Sequence, residues 1–259
     1  MAAAAKLRKT QEIAAASRPY ARKLKEVLDR TVATAQDISN PLMVKRDVKT
    51  VGIVVITSDS GLAGGYNSNL LRKALAEAAR FGAGKGFVVI GRKGRDFLRR
   101  RDKRIDLEYT QIKDTPAFSE AVRIARAVTE AYIKGIYDEV HLIYQEFVSP
   151  AQQRPVCKQL LPIACELGEE KDRRLYLYEP GPDQVLDILL PKYLNTVIYQ
   201  ALMEAKAGEH GARMTAMSSA TDNAGELIDE LTLTYNRARQ AAITREIAEI
   251  VGGVNALQA

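Results

Sequence analysis

Apolar and small side chains recur every three or four positions along the first 38 residues. Steps of seven from Leu7 and from Thr10 give Leu7, Thr10, Ala14, Ser17, Ala21, Leu24, Leu28, Thr31, Ala35 and Ile38. Such a heptad repeat predicts a coiled-coil helix, and its many small residues require a partner helix that approaches closely. Pro19 is expected to bend this helix, and the pair Asn40-Pro41 to end it.

Between residues 47 and 180, short apolar runs alternate with amphipathic stretches. Buried strands are predicted at residues 51–57, 86–91 and 139–147, and an edge strand at 155–163, because these runs are rich in β-branched residues. Helices are predicted at residues 67–80, 93–101 and 115–134, the last with Pro116 in its first turn. This alternation predicts a Rossmann-like, doubly wound α/β sheet.

The C-terminal part of the chain has no proline after Pro191, and small residues recur at steps of three and four from Ala201 to Ala224. This pattern predicts one long helix over residues 192–251 that stops at the pair Gly252-Gly253. Larger apolar residues follow the small ones as far as Tyr235, after which the stripe returns to alanine. We therefore expect a tip whose surface is made of small side chains.

These three patterns combine into one architecture. The helices of residues 1–40 and 185–259 form an antiparallel coiled coil, and the α/β domain of residues 47–180 is inserted between them. Charge agrees with this pairing: residues 1–38 hold eight basic and four acidic residues, whereas residues 185–259 hold six basic and nine acidic ones. Helices of opposite net charge attract each other.

Composition narrows the possible functions. The chain has 259 residues, no Trp and a net charge of +6. No uncharged stretch reaches the roughly 20 residues of a transmembrane helix, and neither a signal-peptide core nor a disulfide framework is visible, so a reducing compartment is expected. Residues 99–104 are strongly basic, but they lack interleaved aromatic residues, which favours a solvated face or a protein contact over nucleic acid.

Candidate chemistry is sparse. His141 and His210, with Cys157 and Cys165, are far apart in sequence, so no metal site is predicted; His141 is expected to be packed and both thiols to be free. We find no catalytic residues and no motif for a bound cofactor. The alternative function is a small-molecule or nucleotide-binding α/β protein that uses the 61–65 loop, although its glycine spacing matches no dinucleotide or P-loop motif.

Three segments carry a resemblance to a known family. The segment MTAMSSATDNAGELIDELTLTYNRARQAAITREIAEIVGGVNAL closely resembles the C-terminal helix of the gamma subunit of F-type ATP synthases. TSDSGLAGGYNSN is similar to that family's loop after its first strand, and AAAKLRKTQ with SRPYA is similar to its N-terminal helix. The segments follow the family's order and lie in all three regions, so the resemblance covers essentially the whole chain.

The resemblance implies a central rotor shaft that couples c-ring rotation, driven by proton flow, to ATP synthesis or hydrolysis at beta-subunit sites. Implied partners are the alpha and beta subunits around the shaft, the epsilon subunit and the c-ring, with a peripheral place on the cytoplasmic side of a bacterial plasma membrane. The shaft itself would be non-catalytic. Family residues that hydrogen-bond a beta-subunit loop match Arg239, Gln240 and Thr244, and a shaft arginine implicated in coupling matches Arg213.

The chain departs from the family at its start. Family members carry several further helical turns before the segment that begins here, so we expect those turns to be missing from this sequence. Because the terminal helices are expected to run antiparallel, the missing turns would pair with the C-terminal helix near its tip.

Overall fold

The computed structural model describes residues 2–34, 40–82, 84–164, 178–179 and 181–258. The chain divides into two compact units, Met1–Thr215 (the first unit) and Ala216–Ala259 (the second unit). None of the described helices combines the length and the hydropathy that crossing a membrane requires. In chain order the elements are α1 (Ala2–Thr34), β1 (Thr50–Ile56), α2 (Tyr66–Arg80), β2 (Gly84–Ile90), α3 (Arg92–Arg99), β3 (Ile105–Tyr109), α4 (Phe118–Ile133), β4 (Glu139–Ser149), β5 (Gln152–Leu161) and α5 (Pro182–Gln258).

The heptad of α1 is confirmed wherever the structure describes it. Its buried positions include Leu7, Thr10, Ala14, Leu24, Leu28 and Thr31. Ser17 and Ala21 are half-buried, while Ala35 and Ile38 lie outside the described residues. The helix continues through Pro19. A 3.5-residue spacing therefore predicted which face of α1 is covered.

Helices α1 and α5 run antiparallel within the first unit. Arg18 Nη2 lies 3.7 Å from Glu204 Oε1, and Lys25 Nζ lies 6.0 Å from the ring centroid of Tyr193. Positions further along α1 thus meet earlier positions of α5. The predicted antiparallel pairing of the terminal helices is confirmed.

The sheet has five strands in the order β3-β2-β1-β4-β5. The first four are parallel, and β5 is an antiparallel edge strand beside β4. The Rossmann-like, doubly wound sheet is therefore confirmed, with one antiparallel edge. We did not predict β3, because its sequence IDLEY places Asp106 and Glu108 in an edge strand that is only half-buried and lacks an apolar run.

Side chains of β1 alternate between two apolar cores. Val51, Ile53 and Val55 pack with α2 on one face of the sheet. Val54 and Ile56 belong to the core on the other face, with α4 and the first turns of α5. Because a strand covered on both faces has no solvent side, it is apolar at nearly every position, as its sequence indicated.

The start of α4 and both ends of α5 differ from the predictions. Helix α4 begins at Phe118, not at Thr115, so Pro116 precedes the helix instead of lying in its first turn. The reason is the cap: Ala117 is extended, and its backbone N–H donates to Glu120 Oε2 at 2.8 Å. Helix α5 continues through Gly252 and Gly253 to Gln258, because a glycine within a helix weakens it but does not by itself end it.

Helix α5 also begins earlier than predicted, at Pro182, and passes through Pro191. A proline inside a helix costs about 3 kcal/mol because it removes one hydrogen bond and crowds the preceding turn. Leu190 and Leu194, on either side of it, are almost fully buried. Their burial offsets that cost, which explains why the helix does not break there.

Candidate functional site

Residues 201–211 of α5 are buried on every face of the helix, which is unusual for a helix that is only partly apolar. The buried set includes the charged or titratable side chains Glu204, Lys206, Glu209 and His210. From residue 217 onward the described side chains of α5 are exposed. We call residues 201–213, together with the groups of the α/β domain that surround them, the joint.

Two glycines allow the helix to approach the α/β domain closely at the joint. A Cβ atom added at Gly211 would lie 3.0 Å from the Pro150 carbonyl oxygen. One added at Gly208 would lie 3.3 Å from the Tyr66 ring. The turn between β4 and β5 and the start of α2 thus rest directly against the helix backbone.

Tyr66 provides the central hydrogen bond of the joint. Its hydroxyl donates to the Ala205 carbonyl at 2.7 Å, and Gln145 Nε2 donates to the Tyr66 carbonyl at 3.0 Å. Burial raises the pKa of the Tyr66 phenol well above its usual value, and the nearby Glu209 carboxylate adds to the shift. The phenol therefore stays protonated and remains a donor.

Arg213 connects α5 to the loop after β1. Its Nη2 atom donates to Glu209 Oε1 at 2.7 Å and to Ser60 Oγ at 2.6 Å, and it lies 3.4 Å from the Gly61 carbonyl oxygen. Arg213, which matches the family's shaft arginine implicated in coupling, thus makes its described contacts within this chain. Its predicted role in partner contact stays a prediction.

The joint occupies the position where a doubly wound fold usually binds a ligand. That position is the crevice at the carboxyl ends of the strands where the strand order reverses, here between β1 and β4. Helix α5 fills it, and the space left among Thr57, Tyr66 and Ala205 measures about 10 Å³. This volume accommodates about one water molecule and no nucleotide.

Polar groups of the loop after β1 are also engaged by the chain itself. Asp59 Oδ1 accepts from the backbone N–H of Arg92 at 2.9 Å, and Asn67 Oδ1 accepts from the N–H of Ser58 at 3.0 Å. Gly64 has a φ of 53°, a left-handed conformation that glycine adopts without strain. These contacts agree with the interpretation of the loop as a tight glycine turn that packs a helix on a strand.

The other three predicted site residues lie in the second unit. Arg239, Gln240 and Thr244 are exposed, and Gln240 and Thr244 are one helical turn apart, so they share a face of α5. Arg213 belongs to the first unit and is thus not part of this group. The structure leaves all three side chains available to a partner.

Large apolar side chains are exposed throughout the second unit. Their exposed fractions range from 38% for Met217 to 65% for Leu231. Beyond Tyr235 they include Ile243, Ile247 and Ile250, so our prediction of a tip covered by small side chains is wrong. The alanines on which we based this prediction lie along only one face of the helix, and the isoleucines lie on others. A surface this apolar is typical of one that another protein covers.

One pair of residues that is distant in sequence is close in space. Antiparallel pairing of β4 with β5 places Cys157 Sγ 3.8 Å from His141 Nδ1, while His141 Nε2 lies 2.8 Å from Glu139 Oε1. His141 is packed, as predicted, with its ring centroid 4.5 Å from that of Phe81. Cys157 is a free thiol, whose pKa is raised by burial, and Cys165 lies outside the described residues. No metal-binding group of three occurs in the part of the chain that the structure describes.

Sequence reasoning missed most of the joint. Tyr66, Gln145 and Glu209 carry no recognisable motif, and they meet only because the fold brings α5 to the sheet edge. One signal was available: Gly208 and Gly211 are three residues apart and therefore lie on one face of a helix. Two such glycines indicate that something approaches that face closely.

Comparison with known proteins agrees with the resemblance. The ATP synthase family pattern matches residues 1–257. The ATP synthase gamma chain of Heliobacterium modesticaldum is 52% identical to this chain over an alignment of 270 positions, which covers 99% of this chain and 91% of that protein. The gamma chain of Moorella thermoacetica is also 52% identical, over 100% of this chain and 91% of its own length.

Solved structures share the fold. One is from the central stalk and c-ring of the Tetrahymena thermophila mitochondrial ATP synthase, with a TM-score of 0.66, 24% identity and coverage of 85% of this chain and 96% of that one. Another is from the Euglena gracilis mitochondrial ATP synthase, with a TM-score of 0.65, 18% identity and coverage of 98% and 95%. By its match to the family pattern and to these gamma chains, the chain belongs to the ATP synthase gamma chain family.

Proposed function

We propose that this chain is the rotor shaft that transmits torque between a c-ring, turned by proton flow, and the beta-subunit sites where ATP is made or hydrolysed. The observation that carries this proposal is the joint. Torque that enters the α/β domain has to pass into α5, and the joint holds α5 to that domain by buried contacts and by the hydrogen bonds of Tyr66 and Arg213. If this connection were loose, the α/β domain would rotate without turning α5.

We propose that the second unit is the surface that the alpha and beta subunits surround. Its exposed apolar residues supply contact area, and Arg239, Gln240 and Thr244 supply hydrogen-bonding groups for a beta-subunit loop. We assign the epsilon subunit and the c-ring as partners of the α/β domain. The division into residues 1–40, 47–180 and 185–259 belongs to this proposal as the parts of the rotor.

ATP synthesis and hydrolysis take place at the beta-subunit sites of the assembled complex. The shaft contributes no catalytic residue and holds no cofactor, and it changes the beta-subunit sites by its rotation. The two gamma chains that are 52% identical to it come from bacteria, and we place this chain at the cytoplasmic side of a bacterial plasma membrane, held there through the c-ring.

Reconstitution tests the proposal. The full chain is combined with alpha and beta subunits of a bacterial relative, a bead is attached to the α/β domain, and rotation is recorded in the presence of ATP. We expect stepwise unidirectional rotation, and no ATP hydrolysis by the chain alone. A complex that assembles and hydrolyses ATP while the bead stays still would contradict a role in torque transmission.

A further inference from the structure

A cavity of about 540 Å³ lies in the first unit between α1, α5 and the β4–β5 pair, and we call it the α1–α5 cavity. Small residues at its wall, Ala15, Ala21 and Ala201, leave this space open. Its volume is in the range of sites that bind small molecules. The cavity shares Ala201 with the joint, and all of its lining residues belong to the first unit.

Its wall is strongly basic. Arg18, Arg22 and Lys25 project from α1 and Lys158 from β5, and none of the described lining residues is acidic. Lys25 is already bound, since its Nζ atom donates to Asp29 Oδ1 at 2.5 Å and to the Ala164 carbonyl at 3.1 Å. The remaining three cations therefore decide what the cavity attracts.

Neutralisation of these three cations is incomplete. Lys158 Nζ donates to the Tyr144 hydroxyl at 2.7 Å, and burial raises the pKa of that phenol, so this acceptor carries no charge. Arg18 lies 3.7 Å from Glu204 Oε1, longer than the 2.7–2.9 Å of a charge-assisted hydrogen bond. Two further carboxylates are close to these groups, but each has its own cation: Glu26, near Arg22, is bound by Lys23 Nζ at 2.7 Å, and Glu146, near Tyr144, is bound by Arg154 Nη2 at 2.6 Å. The three cations and Glu204 therefore leave a surplus of about two positive charges at the cavity wall.

The chemistry of the wall selects a class of ligand. Two arginines and a lysine are groups that bind phosphate, and a surplus of about two charges matches a phosphate ester. Tyr193, Val197 and the alanines offer an apolar surface for an organic group. We propose that the α1–α5 cavity binds a phosphorylated small molecule of about nucleotide size, whose phosphates contact Arg18, Arg22 and Lys158.

A ligand in this position contacts α1, α5 and the sheet at once. It would tie the two antiparallel helices to the edge of the α/β domain, because Arg22 belongs to α1 and Lys158 to β5. Binding thus stabilises this packing by mass action, and the melting temperature of the chain rises with ligand concentration.

Calorimetric titration of the purified full chain tests the proposal, with ATP as the organic phosphate and pyrophosphate as the bare one. We expect saturable binding of ATP with a Kd below about 1 mM, and at least tenfold weaker binding of pyrophosphate. Lys158→Gln and Arg22→Gln should each weaken ATP binding about tenfold, since each removes one charged contact. Arg126→Gln, an exposed cation on α4, is the matched control and should stay within twofold.

Circular dichroism of each variant without ligand verifies folding. Should Lys158→Gln not fold, Arg22→Gln carries the test alone, because Arg22 is exposed on α1. No saturable ATP binding, or wild-type affinity in the cavity variants, would overturn the proposal. Equal affinity for ATP and pyrophosphate would overturn the organic part of it. Loss of binding in Ser60→Ala instead would move the site to the loop after β1 and would equally overturn it.

Discussion

His210 lies at the centre of the charged groups of the joint, and it is 1% exposed. Its Nε2 atom is 3.4 Å from Asp114 Oδ1, and Arg213 Nη1 is 3.4 Å from its Nδ1 atom. An arginine can only donate, so Nδ1 is the acceptor and the ring is neutral. Burial lowers the pKa of His210, an effect that Glu209 and Asp114 oppose and that Arg213 and Lys206 reinforce.

Stability of the first unit should therefore depend on pH through His210. The folded-state pKa of His210 is below its unfolded value of about 6.5, so the unfolded chain binds the extra proton first. The free energy of unfolding is fully retained above pH 6.5 and falls as the pH decreases towards the folded pKa. Thermal melts between pH 7.5 and 5 should show a falling melting temperature.

His210→Gln serves as the comparison, because glutamine does not titrate. We expect a shallower decrease of its melting temperature over the same range, whatever its absolute stability. Glu204 acts in the opposite direction, since burial raises its pKa and its charged form is disfavoured in the fold. Because both proteins contain Glu204, only the difference between the two pH profiles reports on His210. Parallel profiles would exclude His210 as the source.

Removal of the Tyr66 hydroxyl tests the central hydrogen bond of the joint. Tyr66→Phe keeps the ring and loses the hydrogen bond to the Ala205 carbonyl, so the free energy of unfolding should fall by about 0.5–1.5 kcal/mol. Urea unfolding monitored by circular dichroism measures it. Tyr235→Phe is the control. Tyr235 is 64% exposed, so the loss of its hydroxyl should change the free energy of unfolding little. Equal losses in both variants would argue against a stabilising role of this bond.

At the scale of elements, α5 is one helix with two environments. Residues 201–211 are enclosed by the α/β domain, and residues 217–254 are exposed. The helical period was visible in the sequence, but the environment was not, because a stripe of small residues is compatible both with a slim exposed helix and with tight burial. Gly208 and Gly211 at the joint and Gly225 in the second unit illustrate the two cases.

Glycine-to-alanine variants separate these environments. The Cβ atom added by Gly225→Ala has no neighbour within 4 Å. This variant should raise the free energy of local opening of the surrounding turns by about 1 kcal/mol, which is the difference in helix propensity between alanine and glycine. Gly211→Ala gains the same propensity but brings a Cβ atom to 3.0 Å from the Pro150 carbonyl, so its net gain should be smaller or negative. Hydrogen exchange of both regions measures the difference. An equal increase of the opening free energy in both variants would mean that the turn at Pro150 shifts to accommodate the added Cβ atom at no cost.

At the scale of the whole molecule, stability and function depend on different residues. Arg239 is exposed in the chain, so Arg239→Ala should change the free energy of unfolding by less than about 0.5 kcal/mol. In a complex reconstituted with alpha and beta subunits, the same variant should reduce the torque or the rate of ATP-driven rotation. A variant that melts several degrees lower on its own, or rotates like the wild type, would contradict this separation.

Periodicity and sequence motifs were sufficient for much of the architecture. The heptad of Leu7 to Thr31, the apolar run of β1 and the long proline-free segment led to an antiparallel helix pair with an α/β domain between its helices. These features are local: each depends on the spacing of side chains along one element, so the sequence alone determines them. The three motif segments were likewise sufficient to identify the family.

Tertiary structure decided what those elements meet. It placed α5 in the crevice where a doubly wound fold would hold a ligand, Arg213 against Ser60, and Cys157 beside His141. It also carried α5 through Pro191, where the burial of Leu190 and Leu194 outweighed the local preference of proline. Contacts between residues that are 16 to 153 positions apart depend on how sheet and helices pack, and no local pattern encodes them.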